Sequence, residues 1–223
     1  MKVLRRLPYR EGWELQNRLF EARKQGSIPD VLLLVEHQPV YTFGKSGKKE
    51  HLLIPEQEAK RRGIEIFWID RGGDITYHGP GQLVGYPIFD LHHYYLDVGR
   101  FLRDLEEVLI RTLAHFDIKA GRIAGLTGVW VEDKKIASIG VKLSRWITKH
   151  GFALNVSTDL HYFAQIIPCG IAEKPMTSME QVLGRSVTLD EVIPRVLEEF
   201  QEVFHLTLKP QNLLMEHSDA QGP

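Results

Sequence analysis

Cysteine is almost absent from this chain: Cys169 is the only one in 223 residues. One thiol cannot close a disulfide within the chain, and it excludes the cysteine-rich tetrahedral zinc sites. Long apolar runs are missing too, and no stretch approaches the ~20 residues that a membrane-spanning helix needs. Residues 1–13 carry charge and no apolar core of signal-peptide length. An excess of either charge is also lacking, with 28 Lys plus Arg against 29 Asp plus Glu. Global charge therefore selects neither nucleic acid nor a membrane as partner. The cytoplasm is the simplest compartment. No Gly-x-Ser-x-Gly segment occurs, which disfavours a serine hydrolase. His37, His78 and His150 have no metal-motif spacing, so no metal site is expected.

What is present reads as an ordinary globular chain, 43% hydrophobic and 26% charged, long enough to bury a core unaided. Leu15, Leu19 and Ala22 recur at helical spacing beside Trp13 and Phe20, and Gly26 follows, so a first amphipathic helix is predicted. Phe101, Leu105, Leu109, Leu113 and Phe116 predict a long helix from about Val98. Leu189, Val192, Ile193, Val196, Leu197, Phe200 and Phe204 form one apolar face of a last helix, which the Thr188 and Glu191 capping box opens. Thr177 and Glu180 repeat that pattern and predict a further helix start. Strands are expected at 31–35, 64–70, 83–91, 128–132, 135–143 and 152–156. Asp133-Lys134 has the spacing of a tight hairpin. Segment 39–49 reads as a glycine-containing loop. Strands grouped between helices, with no repeat or composition break, imply one α/β or α+β domain with a mixed sheet and flanking helices. It is expected over residues 1–210, with a polar tail at 211–223.

Cys169 sits in the run IIPCGI at 166–171. Most lone cysteines are small buried hydrophobes, and the flanking isoleucines favour that reading. Pro168 and Gly170 oppose it, because they set the thiol at a backbone turn that another group can approach. A thiol nucleophile needs a base. Lys135 opens the strand KIASIG, where a solvated lysine is the bland reading and an inward-pointing base the sharper one. The stretch RGGDITYHGPGQ at 71–82, with four glycines and one proline, excludes a continuous helix. So much backbone freedom is costly unless a turn or a ligand needs it. Its glycines have the wrong spacing for a dinucleotide fingerprint. Gly44-Lys45-Ser46 resembles the end of a phosphate-binding loop, but Pro39 stands where the first glycine belongs. Lys134, Lys135, Lys142, Arg145 and Lys149 form a basic run without an acid, either a solvated face or a landing site for an acidic partner.

Taken together, the segments EHQPVYTFGKSGKKEHLL at 36–53, RGGDITYHGPGQLVGYPI at 71–88, GVWVEDKKIASIGVKLSRWITKHGFALNV at 128–156 and DLHYFAQIIPCGI at 159–171, ahead of MTSM at 176–179, closely resemble the lipoyl(octanoyl) transferase family. The resemblance implies an α/β fold similar to the catalytic domains of lipoate and biotin protein ligases. It implies that octanoyl passes from octanoyl-acyl carrier protein to a lysine of a lipoyl domain, on a 2-oxoacid dehydrogenase E2 subunit or the glycine-cleavage H protein. Cys169 matches the family's acyl-thioester cysteine and Lys135 its paired lysine. Arg71, Gly72, Gly73, Asp74, Ile75, Thr76, Tyr77 and His78 match substrate-contacting positions. So do Ser138, Ile139 and Gly140, and Gly151, Phe152 and Ala153. No cofactor, metal, nucleic acid or membrane is implied. The competing readings are an ATP-dependent lipoate-protein ligase on the same fold and a catalytically silent lipoyl-domain-binding protein.

Overall fold

Seven strands form one mixed sheet and three form a second in a computed structural model that describes residues 1–167 and 174–209. Cys169, with Pro168 and Gly170, and the tail expected at 211–223 lie outside the described residues. The chain begins with β1 (Lys2–Leu7), α1 (Tyr9–Lys24), β2 (Val31–His37), β3 (Val40–Phe43) and α2 (Glu56–Arg61). It continues through β4 (Glu65–Trp68), β5 (Ile75–His78), β6 (Gln82–Ile88), α3 (Val98–Ala114) and β7 (Gly121–Ile123). The remaining elements are β8 (Leu126–Val131), β9 (Lys134–Ser144), β10 (Ile147–Asn155), α4 (Met179–Leu183) and α5 (Leu189–Phe204). The large sheet has the order β1-β2-β6-β10-β9-β8-β7, and the small one β4-β3-β5. Parallel pairs are β1 with β2 and β3 with β4, and the other neighbours run antiparallel.

Alternation along β2 explains how the layers are built. Leu32 and Leu34 join Leu105, Leu109, Val196 and Phe200 in the core that α3 and α5 cover. Val31, Leu33 and Val35 join Leu15, Leu19 and Phe20 of α1 on the opposite face. A sheet covered on both faces needs apolar residues at every position, and this is why 31–35 reads as one continuous run. The small sheet has its own cluster around Tyr41, Phe43, Ile75, Tyr77 and Phe163. Among the described residues no helix is long and apolar enough to cross a membrane.

Several sequence expectations need correction. Segment 39–49 contains β3, whose four residues are all buried, and β5 lies within 71–82. The strand expected at 152–156 begins at Ile147. The capping box at Thr188 and Glu191 is present on α5. At α4 the cap is Ser178, which accepts from the Gln181 N–H, while the Thr177 hydroxyl donates to the Gln181 side chain.

Phe200 is fully buried and packs against Phe152 and Phe204, with ring centroids 5.9 and 5.5 Å away. Phe200→Ala is expected to cost about 3–5 kcal/mol, read as a lower urea midpoint at unchanged slope. Val182→Ala, at a position 38% exposed, should cost under ~1 kcal/mol in the same assay.

Candidate active site

A cleft opens between the glycine-rich segment before β5 and the sheet formed by β6, β10 and β9. Its cavity volume is about 50 Å³. One wall is Arg71, Gly72, Gly73, Thr76 and His78, and the facing wall is Ser138, Ile139, Gly140, Gly151, Phe152 and Ala153. The antiparallel register that sets Gly140 opposite Gly151 and Phe152 opposite Gly85 brings these distant segments side by side. Asp74, Ile75 and Tyr77 are not part of the lining. Strand alternation turns Ile75 and Tyr77 into the core of the small sheet, where Tyr77 stacks on Tyr162 at 4.5 Å. Asp74 contacts His51 and accepts from the Ile75 N–H at 2.7 Å. Tyr9, Val84, Tyr86 and His150 line the cleft without having been singled out from the sequence as substrate contacts.

The glycine-rich wall is fastened from behind. Arg71 donates through Nη2 to the Thr42 carbonyl at 2.6 Å and through Nη1 to the Gly72 carbonyl at 3.0 Å. Gly73 has φ +90°, a conformation that side-chain-bearing residues rarely adopt. The amides of Gly44, Lys45 and Ser46 donate to the carbonyls of Asp74, Arg71 and Gly73. This leaves Lys45, Lys48 and Lys49 exposed at the rim.

The buried histidines are neutral, and their partners fix the tautomers. His37 Nδ1 lies 2.9 Å from the Leu7 carbonyl, which can only accept, so Nδ1 carries the proton. Nε2 then accepts from the Tyr86 hydroxyl at 2.7 Å. His78 Nδ1 donates to Gln82 Oε1 at 2.8 Å, because Gln82 Nε2 is committed as donor to the Tyr77 carbonyl and to Asn155 Oδ1. Asn155 Nδ2 in turn donates to the Thr177 carbonyl at 3.0 Å. Loss of hydration pushes His37 down to about 4 and His78 down to about 3, the latter helped by the nearby His37. His150, at φ +59°, donates its backbone N–H to Gln16 and places Nε2 2.9 Å from Asp70. Burial lowers its pKa against the pull of Asp70, whose own carboxyl is held well below the usual range by His150 and Lys149.

Lys135 is buried at 7% exposure, and its Nζ lies 5.2 Å from the Trp130 ring centroid. The ladder between β8 and β9 pairs Val129 with Ala137 but Trp130 with Lys135, so Ile136 is an extra residue. Such a bulge redirects the neighbouring side chain, and here Lys135, Ile136 and Ala137 are all buried in succession. The Lys135 backbone N–H donates to the Pro175 carbonyl, and its carbonyl accepts from the Thr177 N–H, both at 2.9 Å. On the other flank of the undescribed segment, Ile167 N–H donates to the His51 carbonyl at 2.8 Å.

The basic run does not form one patch. Lys149 is buried, donates to Asn17 at 2.7 Å and lies 3.1 Å from Asp70, and Lys142 is 3.7 Å from the same carboxylate. Exposed Lys134 and Arg145 stand at opposite ends of β9.

A large mixed sheet covered on both faces, beside a small second sheet, is a fold similar to those of lipoate- and biotin-protein ligases. Lipoate-protein ligase A bound with ATP superposes with TM-score 0.73 at 18% identity, covering 94% of this chain and 87% of that one. Biotin protein ligase from Aquifex aeolicus gives 0.53 at 14%, covering 92% and 69%. The chain belongs to the lipoyl protein ligase A/B catalytic domain family, whose model matches residues 8–201, and within it to the octanoyltransferases. The octanoyltransferase of Solibacter usitatus is 52% identical over 210 residues, 94% of each chain. That of Cytophaga hutchinsonii is 47% identical over 222 residues, 91% of each.

The two neutral histidines make the fold sensitive to acid. Their folded pKa values, about 4 and about 3, lie below the ordinary ~6.5 of an unfolded histidine. Between those limits the unfolded chain binds more protons, so stability falls as pH drops from ~6.5 towards ~4. Each histidine should contribute a slope of up to about 1.4 kcal/mol per pH unit. Urea titrations across this window should show the fall, and His78→Asn, which keeps a donor for Gln82, should flatten it.

Proposed function

We propose that this chain transfers octanoyl from octanoyl-acyl carrier protein to a lysine of lipoyl-domain proteins through a thioester on Cys169. The acceptors are the lipoyl domains of 2-oxoacid dehydrogenase E2 subunits and the glycine-cleavage H protein. The observation that carries this reading is the burial of Lys135 against residues 175–177, where its backbone N–H donates to the Pro175 carbonyl and its carbonyl accepts from the Thr177 N–H. Cys169 is two residues beyond Ile167 and six before Pro175.

In the first step the Cys169 thiolate attacks the donor thioester carbon, and the bond from that carbon to the carrier sulfur breaks. Lys135 takes the Cys169 proton and returns it to the departing carrier thiolate. In the second step the acceptor lysine amine attacks the Cys169 thioester, giving its proton to Lys135, and the cysteine leaves as thiolate. Thioester exchange is nearly balanced and amide formation is downhill, so no ATP is required. Ile139, Val84, Phe152 and Ala153 give the cleft the apolar surface an octanoyl chain needs.

Donor alone should leave an octanoyl adduct on Cys169, seen by intact mass and removed by hydroxylamine. Full transfer by Cys169→Ala without ATP would sink the mechanism. Lys135→Ala should slow turnover on the order of 10²-fold or more with donor binding little changed. Lys135→Arg should not rescue it, because arginine stays protonated; near-normal turnover there would make the lysine's role electrostatic.

A further inference from the structure

Glu106 sits in the middle of α3, outside the cleft, yet its side chain is completely buried. One oxygen, Oε2, takes both basic partners, Arg103 Nη1 at 2.7 Å and Arg122 Nε at 2.9 Å. The other, Oε1, accepts the backbone N–H of Gly128 at 2.9 Å. Gly128 has φ +129°, a conformation reserved almost entirely for glycine. A Cβ there would stand 2.5 Å from Lys135 Cε and 2.7 Å from the Ala137 carbonyl. The Lys135 side chain therefore lies directly across the Gly128 backbone, and Glu106 holds that backbone from the far side.

We infer that Glu106 is a positioning residue for the Lys135 amine, acting through the Gly128 amide. This rests on the reading of Lys135 as the proton acceptor. The division of labour between the carboxylate oxygens supports it. An ion pair with two arginines accounts for Oε2, but Oε1 serves the one peptide on which the lysine rests. Release of that peptide lets Gly128 rotate within its wide conformational range, and the lysine loses its bed.

The two roles of Glu106 predict opposite rescues. Glu106→Gln keeps an oxygen for the Gly128 N–H and loses the charge. Glu106→Asp keeps the charge for Arg103 and Arg122 but withdraws by one methylene. Glu106→Ala and Glu106→Asp should each lower kcat by about tenfold, with KM for octanoyl carrier protein within about twofold. Glu106→Gln should recover most of that loss. Rescue by Asp and not by Gln would overturn the inference, as would a loss of kcat that multiplies in full onto Lys135→Ala. Placement is read separately from turnover. Lys135 Nζ lies over the Trp130 ring at 5.2 Å, so the adjoining ε-methylene resonance in 13C-lysine-labelled protein, assigned by its absence in Lys135→Arg, should lie upfield of the exposed lysines. It should move towards them in Glu106→Asp and stay in Glu106→Gln; an unmoved resonance in Glu106→Asp overturns the inference. If Lys135→Ala turns over normally, the base role fails while this resonance still decides the positioning. Should Glu106→Ala not fold, the Asp and Gln pair carries the test alone.

Discussion

One run of hydrogen bonds ties together five separate pieces of the chain. It starts at His78 on β5, passes through Gln82 at the head of β6 and Asn155 at the end of β10, and reaches the Thr177 carbonyl. Thr177 itself donates to the carbonyl of Lys135 on β9. The direction of every bond is forced, because the backbone carbonyls of Tyr77 and Thr177 can only accept. A buried network satisfied in this way is rigid, and a break within it strands a desolvated partner. The network adds a second tie, beyond the β6-β10-β9 ladders, between the cleft wall and the strand that carries Lys135.

The same low-polarity environment sorts the ionisable groups. Where a histidine has only neutral partners, as His37 and His78 do, burial keeps it uncharged. Two buried cations have a carboxylate close by: Lys149 lies 3.1 Å from Asp70, and the Arg23 guanidinium 2.7 Å from Asp30. Charge in the interior is tolerated only where it is paired. Neutral rings can then border an apolar cleft without drawing water into it, while Asp70 collects the basic side chains at one end. This pairing also takes Lys142 and Lys149 out of any acidic-partner surface that the raw sequence count suggests.

Legibility in the sequence followed the range of the interactions. Helices α1, α3 and α5 were readable because their apolar faces repeat every three or four residues, and β2 because a doubly covered sheet leaves a dense apolar run. Strands β3 and β5 were hidden: each is four residues long, wholly buried and embedded among glycines, so neither shows alternation. β1 carries charged residues and takes its place only by pairing with β2, which lies across the whole of α1. At the site, the motif segments located the cleft walls, but period-two alternation in β5 divided one of them, sending Thr76 and His78 inward and Ile75 and Tyr77 away. Tyr9 and His150 carried no local signal, since a helix start and a left-handed residue inside a strand place them. The bulge at Ile136 was equally invisible, because it exists only relative to β8.

The likeness to ligases raises the question of what a shared fold does with the segment that resembles a phosphate loop. A phosphate cradle needs backbone N–H groups pointing into open space. In Gly44-Lys45-Ser46 all three are used, donating at 3.1, 2.9 and 3.1 Å to Asp74, Arg71 and Gly73. The loop is therefore a brace for the glycine-rich wall, and its amides are not available to a nucleotide. On the proposed mechanism the acyl group arrives already activated as a thioester, so no phosphate cradle is needed. That mechanism asks of the chain only a cleft for the alkyl group, a nucleophile and one well-placed base. The backbone donors of this segment are turned inward, where they hold the wall of the cleft in shape.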